Sequence, residues 1–461
     1  MIQPYCFSCT VKKRIHFFLY CVSILTGVFA CNRIPQNEKA NANVRHSIVP
    51  VNAKEISSGT KTIAIINATI IDGLGGEALT NGFVLIQGNT IEQVGKMGTI
   101  RIPADAEITD AKGMSVLPGL IDAHFHLDRT KDLPALFLQH GVTSVRDPGA
   151  WIEAYGEERK SGKMMPRLFL TGPHLDMAPP AYPYDAYIVR DVDEANKEVN
   201  DLADQGATAI KIYFRVPPGM IKAICSTAHQ RGLPVTAHLE ITEAMAAIEA
   251  GLDGVEHITS FGLSLVPKRE GEVYRQGMMA DNNYRKQGRY NMWKDIDVNS
   301  AEADSLIRFL VRKGTFITPT LGPFEYQLST ETADSAKWVG FSHMMAMTAK
   351  MNKSGVHLVL GSHSLIPYAE TGWAYQREME LWVESGIPNA AVIVAATMEN
   401  ARYFRIADRL GSIEKGKTAD LLLVKGNPLT DIKAMRDIEK VMLNGVWVPA
   451  GEKLPKAENI Q

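Results

Sequence analysis

Cysteine is scarce in this chain of 461 residues, and its distribution is uneven. Cys6, Cys9, Cys21 and Cys31 lie near the N-terminus, and Cys225 is alone in the remaining sequence. A disulfide framework needs paired cysteines at workable spacing, so we expect none in the body of the protein. Because no histidine pattern marks Cys225 as a nucleophile, we expect it to be a buried core thiol.

A bias of charge towards one sign is also absent. The sequence has 49 Lys and Arg against 51 Asp and Glu, which gives a formal net charge of −2. A nucleic-acid-binding protein usually carries a basic excess, so we expect no nucleic-acid partner. The apolar fraction of 45% and the charged fraction of 22% are typical of a globular protein. The length fits one large barrel with an accessory domain.

A short apolar run near the N-terminus has the pattern of an export signal. Basic residues at 12–14 precede an apolar run over 15–30, and Cys31 follows. The pattern predicts a signal peptide over 1–30, and its end, Val-Phe-Ala-Cys, resembles a bacterial lipobox, in which Cys31 would be lipidated. We therefore expect an exported protein, lipid-anchored to the bacterial cell envelope at its periplasmic or outer-membrane face. An uncleaved transmembrane anchor is the alternative, although the run is shorter than the roughly 20 residues of a membrane span.

The remaining sequence divides by its patterning. Residues 31–60 are polar and lack periodicity, which predicts a flexible tether. β-rich runs with turn residues occupy 61–118 and again 406–450, followed by a tail over 451–461. We interpret the two β-rich flanks as the halves of one composite β-sandwich domain formed by both chain ends.

Eight short apolar runs, most of them separated by helix-length stretches, occupy residues 119–405. Strand and helix in repeated alternation favour an α/β fold, the (β/α)8 TIM barrel. An open doubly wound sheet is the competing fold, but no G-x-G-x-x-G turn follows the first strand. The runs span 119–127, 142–147, 167–172, 209–214, 234–239, 254–258, 315–321 and 357–363.

Polar side chains fall near the ends of these runs, where such a barrel carries its chemistry. Alternate residues of a strand share a face, so His124 and His126 are expected to point together into the barrel mouth. Any one of these residues alone would be an ordinary core or rim residue. A cluster of them is costly to bury unless it binds something, and neutral imidazole is a common zinc ligand. The predicted cluster consists of His124, His126, Lys211, His238, His257 and His363.

Several segments, in this order, resemble the amidohydrolase superfamily, in particular its imidazolonepropionase-like and Xaa-Pro-dipeptidase-like (prolidase) branch. The resemblance runs from about residue 61 to about residue 448. It implies a metal-dependent hydrolase of a carbon–nitrogen bond in a small amide, cyclic amide or dipeptide, with two zinc ions and a bridging hydroxide as the nucleophile. The segments are VLPGLIDAHFHLD, GVTSVRDPGA, GATAIKIYF, PVTAHLE, AGLDGVEHITS and GSIEKGKTADLLLV.

The resemblance also implies a role for each residue of the cluster. His124 and His126 are the expected ligands of the more buried metal, and His238 and His257 are those of the second. Lys211 would bridge the two metals after carboxylation of its amine. The neighbouring Tyr213 should share the inward face of Lys211, because the two are two residues apart in a strand, and we expect it to touch substrate.

The eighth run departs from the family pattern. The family usually has Gly-Thr-Asp there, and its Asp binds metal and transfers a proton, whereas this sequence has Gly-Ser-His-Ser over 361–364. Three alternatives stay open for His363: a general base, a metal ligand only, or the mark of a binding lipoprotein without hydrolysis. A lyase or isomerase activity is a weaker alternative. Asp122 is expected to support the first strand from outside the ligand set.

Two long loops follow the third and sixth runs, over 174–191 and 264–300. Loops at this end of a barrel shape specificity or form a lid, but solvated decoration or a packing surface in a homo-oligomer is an equal expectation. We find no arginine or lysine pair that indicates an anionic ligand. The resemblance implies a small-molecule amide or peptide as the partner, and its identity is undefined.

Overall fold

The computed structural model describes residues 47–128, 130, 132–328 and 334–449. The predicted signal peptide, the lipidation site Cys31 and the tail at 451–461 lie outside the described residues. Within the described ranges, no helix combines the length and the apolar character that a membrane crossing requires.

The strands occupy both ends of the chain and alternate with helices in the middle. Strand β1, for example, places its apolar side chains in a largely buried pattern from Ile63 to Ile70. In chain order the strands are β1 (Thr62–Ile70), β2 (Leu79–Gln87), β3 (Thr90–Lys96), β4 (Glu107–Asp110), β5 (Ser115–Pro118), β6 (Leu120–Asp122), β7 (Val142–Asp147), β8 (Arg167–Leu170), β9 (His174–Asp176), β10 (Ala186–Ile188), β11 (Ile210–Ile212), β12 (Val235–His238), β13 (Gly254–Glu256), β14 (Phe316–Thr318), β15 (Leu421–Val424), β16 (Ile438–Leu443) and β17 (Val446–Trp447).

The helices begin and end at recognisable signals. One helix starts at a cap in which Ser300 accepts a hydrogen bond from the Ala303 amide at 3.2 Å, and it ends at Gly314, whose φ is 64°. In chain order the helices are α1 (Leu133–Gln139), α2 (Gly156–Lys160), α3 (Val192–Asp204), α4 (Pro218–Gln230), α5 (Ala244–Glu249), α6 (Gly262–Leu265), α7 (Lys268–Ala280), α8 (Arg285–Lys294), α9 (Ala301–Lys313), α10 (Ser335–Lys353), α11 (Ala374–Glu384), α12 (Asn389–Val394) and α13 (Asn400–Tyr403).

Both ends of the chain contribute to one mixed sheet. Its strand order is β17-β16-β15-β5-β1-β2-β3, and β4 pairs with β1. The antiparallel pairing of β15 with β5, from Leu421 opposite Pro118 to Val424 opposite Ser115, joins the late strands to the early ones. The predicted partnership of the two β-rich flanks is therefore present as a shared sheet, while the predicted domain boundaries at 118 and 406 stay predictions.

The middle of the chain forms parallel sheets in an α/β arrangement. One has the order β6-β7-β8 and the other β10-β9-β11-β12-β13-β14. Seven of the eight predicted runs contain one of these strands. The eighth run pairs only through a single parallel bridge between Ile317 and Leu358. Further backbone hydrogen bonds run from the Ala123 amide to the Leu360 carbonyl at 3.0 Å and from the Thr208 amide to the Leu170 carbonyl at 2.8 Å.

The prediction of a flexible tether over 31–60 is wrong for residues 47–60. Asn52 is 1% exposed, its side-chain amide donates to the Pro166 carbonyl at 3.0 Å, and its side-chain oxygen accepts the Leu168 amide at 2.9 Å. The Val51 amide donates to the Leu168 carbonyl at 2.9 Å. This polar segment is thus ordered by hydrogen bonds to the edge of β8, which leave no periodic signal in the sequence.

The interpretation of 264–300 as a long loop is also wrong, because α7 and α8 occupy most of this stretch.

The expectation for Cys225 is confirmed, since the residue is a free thiol buried on α4 within the main apolar cluster. Burial raises its pKa to about 12, so the thiol is not activated.

Candidate metal centre

His124 and His126 follow the end of β6, and each histidine directs one ring nitrogen towards the other histidine. Nδ1 of His124 lies 2.8 Å from Oε2 of Glu256, and Nδ1 of His126 lies 3.6 Å from Oδ1 of Asp147. A carboxylate next to Nδ1 favours the proton there and leaves the lone pair on Nε2. The two Nε2 atoms are 3.0 Å apart. Two lone pairs at this distance repel each other unless a cation or a proton lies between them.

Lys211 lies in the middle of β11 and is 2% exposed. Its Nζ has no hydrogen-bond partner among the residues that the structure describes. Burial lowers the pKa of this amine to about 8, although the charge of Glu256 opposes the shift. An unpaired ammonium in such a position is costly, so the amine is readily converted to its neutral form.

His238 and His257 lie at the ends of the two neighbouring parallel strands β12 and β13. Their ring centroids are 4.3 Å apart, and the ring of His257 lies 4.6 Å from that of His124. Nε2 of His238 contacts Oε1 of Glu240 at 3.0 Å, while its buried Nδ1 has no partner in the described part of the chain. Nδ1 of His257 contacts Oγ1 of Thr320 at 2.5 Å.

His363 joins the same cluster from the eighth run. Its backbone amide donates to the His124 carbonyl at 2.7 Å, and its ring stacks on that of His124 with a centroid distance of 5.3 Å. The ligand atoms of His124, His257 and His363 all lie within 4.8 Å of one another. This grouping takes one histidine from each predicted metal pair and adds His363, so it differs from the pairing that the family resemblance implies.

Most imidazoles of this centre are held in their neutral form; His126 differs, because burial lowers its pKa but the contact with Asp147 outweighs burial and leaves the pKa raised. Burial lowers the pKa of His124 to about 3 and that of His238 to about 4, although Glu256 and Glu240 respectively oppose the shifts. Burial also lowers the pKa of His363 well below its usual value, and the charges of the neighbouring histidines act in the same direction. Neutral imidazoles are metal ligands and proton acceptors, so the centre is prepared for both roles.

Asp122 connects the backbones of the first and the eighth runs. Its buried carboxylate accepts the His124 amide at 3.0 Å, the Ser362 amide at 2.9 Å and the Ser362 hydroxyl at 2.5 Å. Burial raises the pKa of this carboxyl to about 6 in spite of these bonds. The contacts place Asp122 where it fixes the segments that carry His124 and His363, which matches the expected supporting role.

Several partners of the cluster were missed by sequence reasoning. Glu256 contacts His124 and also accepts a hydrogen bond from the Thr236 hydroxyl at 2.7 Å. Burial alone would raise the pKa of Glu256, but the charges of Lys211 and His124 outweigh burial and leave this pKa lowered. His174 is buried at the start of β9, and its Nε2 has no partner in the described ranges. The signal for Glu256 was a single carboxylate in an otherwise apolar strand.

The centre opens into a cavity of about 690 Å³. Tyr213 lines this cavity, with its ring 4.7 Å from that of His238, while its predicted contact with substrate stays a prediction. The stretch that was expected to be a loop, 264–300, also lines this cavity through α8. The expectation that no arginine or lysine pair indicates an anionic ligand stays a prediction, but α8 does bring basic residues to the cavity: its lining residues are Arg285, Lys286, Arg289 and Tyr290.

Known structures share this fold. A putative prolidase from Bifidobacterium longum is 24% identical, with a TM-score of 0.66 over 86% of this chain and 97% of that one. A Xaa-Pro dipeptidase with bound methionine is 22% identical (TM-score 0.64, covering 84% and 99%), and a molinate hydrolase is 20% identical (TM-score 0.64, covering 87% and 99%). These identities show the fold alone.

No curated protein matches the sequence. The amidohydrolase family, in contrast, matches residues 115–448, which include every member of the histidine and lysine cluster. The predicted hydrolase activity is confirmed at the level of the family, and the chain belongs to the amidohydrolase family.

Proposed function

We propose that the protein is a metal-dependent hydrolase of a carbon–nitrogen bond in a small amide, cyclic amide or dipeptide. The observation that carries this proposal is the 3.0 Å approach of Nε2 of His124 to Nε2 of His126 beside the unpartnered amine of Lys211. A bound cation removes the repulsion between the ring lone pairs. The structural neighbours include a prolidase and a molinate hydrolase, which supports a hydrolase of this class.

We propose that this donor set holds two divalent ions and that both are zinc. Neutral imidazoles are suitable ligands, and the ring nitrogens of the five histidines converge from four chain segments, while the Lys211 amine comes from a fifth. Lys211 would bridge the ions after its neutral amine adds carbon dioxide, a step that forms an N–C bond and releases one proton. The resulting carbamate is an anion and suits a position between cations. The proposed ligands are His124, His126, Lys211, His238 and His257, with His363 adjacent to them.

Bound divalent ions supply Lewis acidity and lower the pKa of coordinated water. His363 takes up the proton of the attacking water on its neutral ring and returns it to the nitrogen of the leaving group. Tyr213 keeps its phenolic proton, because burial raises its pKa well above the usual value, and it donates to the polar part of the substrate. Glu256 holds His124 in the tautomer that presents Nε2.

Metal removal tests the proposal. Protein dialysed against a chelator should lose turnover of a panel of dipeptides, N-acyl amino acids and cyclic amides, and zinc should restore it. His124→Ala and Lys211→Ala should abolish turnover, whereas His229→Ala, a change at a half-exposed histidine outside the cavity, should not. Unchanged turnover in metal-free protein would refute the proposal.

A second candidate function is binding without hydrolysis, and one observation favours it. The family has a carboxylate at the position that transfers the proton, whereas this chain has His363 there. A neutral imidazole in place of an anionic carboxylate changes the net charge of the centre. In this case ligands of the panel bind with metal present, but none is converted. Turnover that disappears in His363→Ala with metal retained would exclude this candidate.

The finer architecture also belongs to the proposal. We propose that the parallel sheets close into an eight-stranded barrel, supported by the bridge between Ile317 and Leu358 and by the bond between Ala123 and Leu360. We propose that the shared sheet is part of a β-sandwich, supported by separate buried clusters around Ile65 and around Phe83.

We propose that the protein is exported and lipid-anchored at Cys31. The support is the sequence pattern alone: basic residues, an apolar run and a cysteine. Mass spectrometry of the N-terminal peptide should find a diacylglyceryl-modified Cys31 in the membrane fraction. Cys31→Ala should release the protein from the membrane fraction or leave its leader uncleaved, while an unmodified, uncleaved N-terminus in the original chain would contradict the proposal.

A further inference from the structure

A buried guanidinium in the wall of the cavity has no role in the centre described above. Arg285, the first residue of α8, is 7% exposed and lines the cavity. Its Nη1 is buried and has no hydrogen-bond partner in the described part of the chain. A guanidinium keeps its charge at all relevant pH values, so it cannot avoid the cost of burial by losing a proton. An anionic partner from outside the chain would offset this cost.

Arg289, one turn further along α8, is different because it already has a carboxylate partner. Its guanidinium lies 3.2 Å from Oε1 of Glu240, the same oxygen that contacts Nε2 of His238 at 3.0 Å. Tyr274 donates a further hydrogen bond to Glu240. Arg289 is therefore part of the network that holds His238, and Arg285 is the arginine of this wall whose charge is available to a ligand.

Aromatic rings hold the guanidinium of Arg285 and connect its position with the histidine cluster. Its central carbon lies 4.7 Å from the ring centroid of Tyr182 and 5.9 Å from that of Phe214. The Tyr182 ring is 5.9 Å from Tyr213, whose ring is 4.7 Å from that of His238. A stacked guanidinium keeps its N–H edge free for a planar, bidentate acceptor, which is the geometry of a carboxylate.

We propose that Arg285 binds a carboxylate of the substrate and that the protein prefers amides with a free carboxylate, such as dipeptides and N-acyl amino acids, over neutral amides. The proposal rests on the hydrolase function proposed above. In the bound substrate the carboxylate lies at Arg285, the body of the substrate lies along Tyr182 and Tyr213, and the amide carbonyl lies at the histidine cluster. The exposed Lys286 beside Arg285 adds positive charge to the same wall.

The test uses substrate pairs that differ only at the carboxylate: dipeptides and N-acetyl amino acids, each compared with its C-terminal carboxamide. The holoenzyme should prefer the carboxylate member in kcat/KM by roughly 10- to 100-fold, the value of hydrogen bonds to a charged group. Arg285→Met should abolish this preference, mainly by raising KM, and leave the carboxamide rate within about threefold. Arg285→Lys should retain part of the preference.

Arg269→Met is the matched control, because Arg269 is an exposed arginine on α7 that does not line the cavity. It should behave as the original protein does. Equal kcat/KM for both members of every pair would overturn the proposal, as would a preference that survives Arg285→Met with metal content and circular dichroism unchanged.

Calorimetric binding of the same pairs separates this proposal from the hydrolase proposal. If no substrate is converted, the hydrolase proposal fails, but carboxylates should still bind more tightly than carboxamides and lose this advantage in Arg285→Met. Absence of carboxylate binding to the unmodified protein, or binding that does not depend on Arg285, would overturn the assignment of Arg285 whatever the turnover.

Discussion

Nδ1 of His124 and Oε2 of Glu256 lie 2.8 Å apart and connect the end of β6 with the end of β13. Both residues are buried, and the Thr236 hydroxyl bonds the other carboxylate oxygen of Glu256 at 2.7 Å. The carboxylate thereby fixes both the tautomer and the ring orientation of His124. Glu256 is a positioning residue for the proposed metal centre, since it acts through His124.

We predict that Glu256→Gln weakens metal binding by about 10- to 100-fold, because the amide no longer enforces the Nδ1-protonated tautomer of His124. Competition with a chromophoric chelator measures the affinity. Glu249→Gln is the control, since Glu249 pairs with Lys313 at the surface. An affinity equal to that of the original protein in a correctly folded Glu256→Gln variant would contradict this role.

His363→Ala should reduce kcat by about 100- to 10,000-fold, the range of general acid–base catalysis, while leaving at least one metal ion bound. Burial lowers the pKa of His363 well below the usual value, so its imidazole is neutral before the reaction, although the same burial makes it a weaker base. Turnover and metal content are measured on the same preparation. A parallel loss of metal and turnover would instead identify His363 as a ligand only, and unchanged kcat would remove it from the mechanism.

The histidine and lysine cluster could be predicted because strand alternation and strand ends are local properties of the sequence. Its partners could not, since the contact of His124 with Glu256 spans 132 residues and depends on which strands are neighbours. The helices α7 and α8 were missed for another reason. Gly277 and Gly288 resemble loop signals, but an added Cβ at either would come within 2.6 to 2.7 Å of the Tyr284 ring, so close packing accounts for both glycines.

The wall that carries Arg285 depends on a close contact between two helices. A Cβ on Gly340 of α10 would lie 2.8 Å from the backbone oxygen of Tyr290 in α8. We predict that Gly340→Ala destabilises the protein by about 1–3 kcal/mol through overpacking, in spite of the better helix propensity of alanine, and that it raises KM by displacing α8. Thermal unfolding and steady-state kinetics measure both effects.

Gly219→Ala is the control for this prediction, because Gly219 lies in α4 with open space around its Cα. It should leave KM unchanged and should not destabilise the protein. If Gly340→Ala behaved in the same way, the packing of α10 against α8 would not position the cavity wall.

Asp176 should make stability depend on pH. Burial raises its pKa to about 7, although the Met177 and Arg215 amides donate to Oδ1, and its Oδ2 has no partner in the described ranges. The pKa of Asp176 in the folded protein lies above the unfolded value of about 3.9, so the folded state holds this proton more tightly than the unfolded state. Protonated Asp176 therefore contributes its full share to the free energy of unfolding below about pH 3.9, and this contribution is lost as the pH rises through 7.

Asp176→Asn keeps the acceptor Oδ1 and removes the ionisation. The variant should gain stability over the original protein as the pH rises from 5.5 to 8.5, by a few kcal/mol at most, since one pKa unit corresponds to about 1.4 kcal/mol. Denaturant unfolding at each pH measures the difference. A difference that is constant with pH would show that Asp176 does not titrate as the structure indicates.

Anomalous diffraction from crystals of the zinc-loaded protein shows whether a cation lies between His124 and His126. We expect an anomalous peak at about 2.0–2.1 Å from Nε2 of both histidines, with a second peak near His238 and density for a carboxylated Lys211 between the two. Crystals that are zinc-loaded yet show no peak between His124 and His126 would contradict this expectation.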